Sequence, residues 1–351
     1  MTVIPAARAT PDGYFTSLRE RYELAAQRCG QTCRDLVIGP GRLRVCFAGS
    51  ELAEALLGPL QRLVAPSGDR PDAEIHVWDS AGSETPPPTL PQPPVGPIAP
   101  GETPRYRSVY AQEGGHLDSL AMFDTRERIG RFWFADRDQI RWYERAEPLR
   151  TAMHWALTSS ETFLAHASAV GDERGAIVLT GRGGSGKTTT TLAALDAGLR
   201  VVGDNYVLVS LTDPGSWVYG LFGTAKLWPP TLDQLPWLAP MVVNPAVAAE
   251  EKLVADLGRH RPDGLATGLP VRAVVVPQVA DSGPTRISRC SPVQALLALA
   301  PATMLQLPRA DRGFAGMSEL VRRVPTFELT LGSQIMDGPR ALSELLTDLG
   351  R

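Results

Sequence analysis

Nine consecutive residues have the types and spacing of a phosphate-binding loop: Gly181-Arg182-Gly183-Gly184-Ser185-Gly186-Lys187-Thr188-Thr189. Glycines adopt backbone angles closed to other residues, so successive amides can turn towards an anion. In the spacing G-x-x-x-x-G-K-[ST], the lysine reaches the β- and γ-phosphates of a nucleotide and the hydroxyl ligates Mg²⁺. We therefore predict that this loop, which we call the glycine loop, binds ATP.

The segments flanking the glycine loop favour this interpretation over a chance glycine-rich turn. Ala176-Ile177-Val178-Leu179-Thr180 is apolar and rich in β-branched residues, as buried strands are. The stretch from Thr190 to Leu199 is rich in Ala and Leu and favours a helix. A strand, a loop and a helix in this order would place phosphate at a helix N-terminus.

An acid and an amide interrupt the next apolar run, Arg200 to Val209, at Asp204 and Asn205. In a parallel sheet beside the glycine loop, an acid at a strand end can hold Mg²⁺ or accept a proton from an incoming hydroxyl. Alternatively, Asp204 only starts a turn. We predict Asp204 as the catalytic base and Thr188, Asp204 and Asn205 as metal ligands.

Two further residues are candidates for the site on weaker grounds. His166 lies in the run Leu164 to Val170, where a single histidine is often only a hydrogen-bonded core residue. Lys226 precedes Trp228-Pro229-Pro230; its charge could neutralise transferred phosphate, or it could be a solvated surface group. Lys187 completes the set of predicted catalytic residues.

Three blocks together resemble the catalytic domain of the HPr serine kinase/phosphorylase family: His166-Ala167-Ser168, Gly181 to Thr188, and Val202-Gly203-Asp204-Asn205. They occur in that family's order and spacing. The chain is more similar to divergent relatives in the family, which share a lysine like Lys226 in Gly223-Thr224-Ala225-Lys226-Leu227 and a tail like Pro325-Thr326-Phe327-Glu328-Leu329. The resemblance covers residues 160 to 351 well and the N-terminal half loosely.

The resemblance implies roles for four residues and self-association of the chain. Lys187 would bind phosphate and Thr188 would ligate Mg²⁺. Asp204 would act as base towards a serine-type hydroxyl, and His166 would help shape the site. The chain departs from the family at Asn205, where a second acid is usual. An asparagine offers an oxygen but adds no charge and takes no proton, which leaves metal affinity and reverse dephosphorylation open.

Composition argues against nucleic acid or membrane partners. The formal net charge is −3 over 351 residues, and no lysine-rich tract occurs. The four cysteines, Cys29, Cys33, Cys46 and Cys290, are scattered. We expect them to be buried or idle thiols rather than a zinc site or a disulfide framework, and Cys29 and Cys33 to share a helix. Met1-Thr2-Val3-Ile4-Pro5 lacks the pattern of a secretory leader, so we expect a cytoplasmic protein.

The N-terminal half, residues 1–150, is predicted to be a smaller α+β domain that recognises the substrate. It contains a proline-rich stretch, 86–104, which we interpret as a long exposed loop rather than a ligand for a polyproline-binding partner. Aromatic residues in a predicted antiparallel meander could stack a base but are better explained as core. The meander's strands are predicted at 106–110, 117–123, 129–134 and 139–143.

We predict an α/β fold, and the resemblance implies that residues 151–351 form a P-loop kinase domain of the HPr kinase type. We expect a kinase that transfers the γ-phosphoryl group of ATP to a hydroxyl on a protein, a peptide or a small molecule. The alternatives are a P-loop ATPase or nucleotide-dependent switch, and a nucleotide-binding protein without transferase activity. A homo-oligomer is possible, and the acceptor is not identified by the sequence.

Overall fold

The computed structural model describes residues 10–68, 70–90, 105–113, 115–212, 215–247, 251–280, 282–307 and 311–351. Within these ranges the chain is a mixed α/β protein with several mixed sheets. Its strands are β1 Gln31–Ile38, β2 Gly41–Ala48, β3 Val64–Ala65, β4 Ala73–Asp79, β5 Tyr106–Glu113, β6 His116–Asp124, β7 Ile129–Phe134, β8 Thr162–Ala165, β9 Ser168–Asp172, β10 Gly175–Leu179, β11 Arg200–Gly203, β12 Val207–Ser210, β13 Trp217–Gly220, β14 Thr224–Leu227, β15 Leu253–Asp256, β16 Gly268–Val279, β17 Arg286–Arg289 and β18 Thr326–Leu331.

The α-helices of the same ranges flank two large sheets. They are α1 Pro11–Cys29, α2 Ser50–Leu57, α3 Ser80–Ser83, α4 Trp142–Ala146, α5 Arg150–Leu157, α6 Lys187–Asp196, α7 Pro229–Gln234, α8 Leu257–His260, α9 Pro292–Gln306, α10 Asp311–Arg323 and α11 Asp337–Leu349. None of the helices in the described ranges is long and apolar enough to cross a membrane.

The first sheet has seven strands in the order β3-β1-β2-β4-β7-β6-β5. Its centre, β2, β4 and β7, is parallel, and its two edges are antiparallel. Helix α1 covers one face, while α2 and α5 pack against the other in a core that also includes Leu164, Leu208 and Phe222. This core therefore contains residues from both sides of residue 150. The division into two domains at that residue stays a prediction.

The second sheet has nine strands in the order β11-β9-β10-β16-β13-β12-β8, with β18 joining β16 to β17. Apolar side chains of α6 and α11 cover one face, and those of α9 and α10 cover the other. Such a sheet is buried on both faces, which explains the continuous apolar sequence of β10 and β16. Strands β14 and β15 form a separate two-stranded antiparallel sheet beside α6.

Half-buried Arg62 connects the two sheets. Its guanidinium donates to the carbonyl oxygens of Ala266 and Val202, at 3.0 and 2.7 Å. Burial lowers the pKa of Arg62 to about 10. Since Val202 lies two residues before Asp204, this contact fixes the strand that delivers the predicted base.

Most predicted elements are confirmed, including the first three strands of the meander. One prediction of an N-terminal strand is wrong. The fourth meander strand, 139–143, is instead a 3₁₀ turn and the start of α4. Asp136 initiates that turn, because its carboxylate accepts hydrogen bonds from the Asp138 amide and the Gln139 side chain, both at 2.9 Å. Residues 91–104 of the proline-rich stretch lie outside the described ranges, and 85–90 form neither helix nor strand.

The prediction for the cysteines is also wrong. Helix α1 ends at Cys29, because Gly30 has a φ of 78°, which a helix cannot continue. Cys33 therefore lies on β1, directly opposite Cys46 on β2, and the two form a disulfide. Cys29 and Cys290 are free. Disulfides persist in oxidising compartments, which does not agree with the expected cytoplasmic location; that location stays a prediction.

We predict that the disulfide stabilises the fold. Reduction with dithiothreitol should lower the free energy of unfolding by roughly 1–3 kcal/mol, because the bridge restricts a loop of the unfolded chain. Urea unfolding monitored by circular dichroism measures this difference. The Cys33→Ser/Cys46→Ser variant should match the reduced protein and be insensitive to reductant, while Cys29→Ser/Cys290→Ser should respond like the unmodified protein. A stability independent of reductant in the unmodified protein would contradict the bridge.

Candidate functional site

Four strand ends meet at one edge of the nine-stranded sheet. Strand β9 is antiparallel to both β10 and β11, so β10 and β11 run in the same direction, and β16 and β18 are parallel to them. The glycine loop follows β10, and Asp204 follows β11. Ser168 begins β9 at the same edge. The topology therefore brings together residues that are far apart in the sequence, at the carboxyl ends of strands where ligands of α/β proteins bind.

The glycine loop leads directly into α6, which begins at Lys187. Gly184 and Gly186 have φ angles of 80° and 96°, and a Cβ at Gly186 would lie 2.6 Å from the Leu331 side chain. The loop thus requires glycine at position 186. The Lys187 ammonium donates to the carbonyl oxygens of Gly181 and Arg182, at 2.7 and 3.1 Å. Burial lowers the pKa of Lys187.

Asp204 is a buried carboxylate held by two hydroxyl groups. Ser168 donates to Oδ1 at 2.6 Å, and Thr188 lies 3.1 Å from both carboxylate oxygens. Burial raises the pKa of Asp204, and the two hydroxyl donors partly offset this. Thr188 and Asp204, which were both predicted as metal ligands, therefore lie side by side, and Ser168 is a partner of Asp204 that the sequence did not identify.

Asn205 contacts a different group from Asp204. Its φ angle is 67°, in the left-handed region where asparagine is tolerated. The backbone therefore turns at Asn205 instead of continuing as a strand. The amide Nδ2 donates to Oε1 of Glu147 at 2.8 Å. Among the described residues, the amide nitrogen is thus engaged by an acid from the N-terminal half rather than by the Asp204 and Thr188 pair.

Glu147 is a site residue that the sequence analysis missed. Its Oε2 accepts from Lys226 at 2.6 Å and from Arg150 at 3.1 Å. The Glu147 side chain is 3% exposed, so its charge is compensated by these two cations rather than by water. No local motif marks Glu147, because its partners Asn205 and Lys226 lie on other elements far along the chain.

His166 lies between β8 and β9, where the apolar run is broken. Its ring meets Tyr206 edge to face, with ring centroids 5.2 Å apart, and its amide donates to Thr303 at 3.0 Å. Burial, aided by the charges of Lys187 and other nearby cations, lowers the pKa of His166 to about 3. At neutral pH, His166 is therefore a neutral ring that shapes the site and is no source of positive charge.

A cavity of about 730 Å³ opens at this strand edge, a size typical of small-molecule sites. Of the predicted site residues, its lining includes His166, Gly183, Gly184, Gly186, Lys187, Thr188, Thr189, Asn205 and Lys226. Gly181, Arg182, Ser185 and Asp204 adjoin these residues without lining the cavity, and Asp204 lies behind Thr188. In the described part of the chain, no aspartate or glutamate lines this cavity.

Lys252, which lines the cavity, is a further site residue that the sequence analysis missed. It immediately precedes β15, and its ammonium lies 5.4 Å from the centre of the Trp228 ring. Burial lowers the pKa of Lys252, and the charge of Asp204 opposes this effect. Three lysines, Lys187, Lys226 and Lys252, thus line one cavity from different elements, which makes its surface cationic.

The oxygen-rich set at the strand edge fits Mg²⁺. The carboxylate of Asp204 and the hydroxyl of Thr188 are hard ligands, and such ligands with water are what Mg²⁺ prefers. The glycine loop also has room for an anion, because a Cβ at Gly183 or Gly184 would meet no atom within 4 Å. In the same loop, the buried Ser185 hydroxyl has no partner among the described residues. The residues present are therefore compatible with a nucleotide phosphate and its metal.

Comparison with known proteins adds little to these observations. No protein-family model matches the sequence, and no curated protein sequence is similar to it. The chain aligns with a solved structure of the Hpr(Ser) kinase/phosphatase from Coxiella burnetii, with 10% sequence identity. The alignment covers 54% of this chain and 99% of that chain, with a TM-score of 0.30. A likeness this slight carries no conclusion about function.

We predict that the His166 ring stays neutral well below neutral pH. Because its folded pKa lies far below its usual value, the C2 proton resonance of His166 should show no titration between pH 8 and pH 5. Nuclear magnetic resonance of histidine-labelled protein measures this, with His166→Asn identifying the signal. A midpoint near pH 6.5 would show that the ring is solvated.

We also predict that Glu147→Ala destabilises the fold by about 3 kcal/mol, because it leaves two cations without their shared buried counter-ion. Urea unfolding measures the loss. Glu23→Ala is the matched control, since Glu23 pairs with Arg19 at 3.6 Å on the surface and should change stability by less than about 0.5 kcal/mol. Equal effects of the two substitutions would mean that the Glu147 contacts contribute nothing.

Proposed function

We propose that this protein is an ATP-dependent phosphotransferase that moves the γ-phosphoryl group to a hydroxyl acceptor. The observation that carries the proposal is the contact between Thr188 and Asp204. It places a carboxylate beside the first hydroxyl of a helix that follows a G-x-x-x-x-G-K-T loop. Phosphate-binding sites that hold Mg²⁺ and an acceptor need this combination of groups.

The glycine loop and the lysines would bind and neutralise phosphate. Backbone amides at the start of α6 and the Lys187 ammonium would hold the nucleotide phosphates, with the Lys187 contacts to Gly181 and Arg182 giving way to them. Lys226, fixed by Glu147, would add positive charge on the opposite wall. Bound Mg-ATP would supply the phosphoryl group and its activation. Charge stabilisation of this kind is the main catalytic contribution in phosphoryl transfer.

Asp204 would have two roles. It orients the Thr188 hydroxyl, whose proton it accepts, so that the oxygen lone pairs of Thr188 are free for the metal. It would also take the proton of the acceptor hydroxyl on Oδ2, as the acceptor oxygen bonds the γ-phosphorus and the bond to ADP breaks. Oδ2 is suited to this, because among the described residues Oδ1 accepts from two hydroxyls and Oδ2 only from Thr188.

Release of ADP in the presence of Mg-ATP tests the proposed activity. Turnover that depends on an added hydroxyl compound or peptide supports the phosphotransferase. Turnover that is independent of any acceptor would instead indicate an ATPase or nucleotide-dependent switch, and tight binding without turnover would indicate a nucleotide-binding protein. Lys187→Ala should abolish nucleotide binding or turnover in all three cases; an unchanged variant would overturn the glycine loop as the nucleotide site.

We predict that Asp204→Asn lowers acceptor-dependent kcat by at least about 100-fold while changing the Kd for the nucleotide little, because it removes the base and keeps the shape. Asp196→Asn, at the exposed C-terminal end of α6, is the matched control and should retain full activity. Acceptor-dependent transfer at the unmodified rate in Asp204→Asn would exclude Asp204 as the base.

We predict that Asp204→Asn stabilises the folded protein although it removes activity. The pKa of Asp204 is raised in the folded state, so the buried charge is a stability cost above that pKa and is relieved as the pH falls. Asp204→Asn should therefore raise the thermal unfolding midpoint at pH 8, with a difference that shrinks towards pH 4. A lower midpoint for the variant at pH 8 would mean that the charge is stabilising.

A further inference from the structure

The chain contains only three lysines, Lys187, Lys226 and Lys252, among 35 lysine and arginine residues, and all three line the same cavity. Arginine presents a planar fork with five donors, whereas lysine presents a compact point charge on a flexible stem. A chain that otherwise uses arginine thus places each of its lysines, as a compact positive charge, at this cavity. This points to oxyanions as the groups that the cavity binds.

The two-stranded sheet of β14 and β15 has one face in the core and one face on the cavity. Ala225, Leu227, Leu253 and Ala255 are buried in the core below α6. Side chains alternate along a strand, so Lys226 and Trp228 lie on the other face. Leu227 pairs with Leu253, which places Lys252 opposite Trp228 on that same face.

The three lysines differ in what compensates their charge. The Lys187 ammonium is bonded to carbonyls of the glycine loop, and Lys226 is paired with Glu147. Among the described residues, Lys252 has no carboxylate within ion-pair distance and rests only against the Trp228 ring. A half-buried ammonium without a counter-ion is poised to bind one. Lys252 is therefore the cation available to a second anionic ligand.

We propose that Lys252, held over Trp228, binds a phosphate or carboxylate group of the phosphoryl acceptor. The acceptor is then a small anionic compound that carries both a hydroxyl and an oxyanion. This inference rests on the proposed function, and it deepens it by naming the substrate class. Lys187 serves the nucleotide, Lys226 is fixed by Glu147, and Lys252 selects the acceptor.

Titration calorimetry with inorganic phosphate tests the subsite. The protein is first saturated with Mg²⁺ and a non-hydrolysable ATP analogue, so that the glycine loop is filled before phosphate is added. Phosphate should bind the unmodified protein, and it should bind Lys252→Met about tenfold more weakly. Lys252→Arg should bind phosphate with near-normal affinity, because it keeps the charge. Arg261→Met is the matched control, because Arg261 stacks on Trp237 outside the cavity and its loss should change nothing.

A second measurement uses turnover with paired acceptors, glycerol against glycerol 3-phosphate. The phosphorylated compound should be the better acceptor, and Lys252→Met should raise its KM about tenfold without raising the KM for ATP. Equal phosphate affinity in the unmodified protein and Lys252→Met would overturn the proposal, as would equal losses of ATP and phosphate affinity. Failure of the ATP analogue to bind would instead contradict the proposed phosphotransferase activity. In that case, phosphate titration of the nucleotide-free protein and its Lys252 variants would still decide the role of Lys252.

Discussion

The carboxylate of Glu147 joins three parts of the chain that form the cavity. It accepts hydrogen bonds from Asn205 after β11, Lys226 on β14 and Arg150 on α5. A buried charge is tolerated only where it is paired and hydrogen-bonded, so these three elements have one relative arrangement in which Glu147 is satisfied. Asn205 suits this arrangement because its neutral amide donates, whereas an aspartate there would place a second negative charge against Glu147. The neutral residue at position 205 is thus matched by an acid supplied from elsewhere in the chain.

The same arrangement separates charges of opposite sign across the site. Cations line the cavity, and the carboxylates of Asp204 and Glu147 lie behind its surface, each held by donors from neighbouring elements. An anionic ligand therefore meets positive charge first, while the acids hold two groups of the cavity wall in place: Asp204 holds Thr188, and Glu147 holds Lys226. Burial disfavours every one of these charges, and their mutual attraction reduces this cost. The cavity is consequently suited to anions even though the chain as a whole is slightly acidic.

The glycine loop and Asp204 could be selected as site candidates from the sequence because their signals are local. Strand, loop and helix follow one another along the chain, and a polar pair inside an apolar strand is visible without any tertiary information. Glu147, Lys252 and the Cys33–Cys46 bridge could not be found this way, because each depends on which strands become neighbours. The segment 139–143 shows a different limit, since alternation over five residues fits a strand as well as a turn followed by a helix, and the Asp136 side chain decided between them.

The interruptions of regular structure have a common cause. Apolar runs that read as continuous strands break at His166-Ala167 and again at Asp204 to Tyr206, and the glycine loop ends β10. All three breaks fall at one edge, because β10 and β11 run in the same direction and β9 starts where they end. Between the apolar layers of the sheet, a polar side chain would lack hydrogen-bond partners. At the edge, hydroxyls, amides and helix termini can form hydrogen bonds with it. The topology therefore allows these polar residues where the strands stop, and it concentrates them beside the cavity that a ligand can enter.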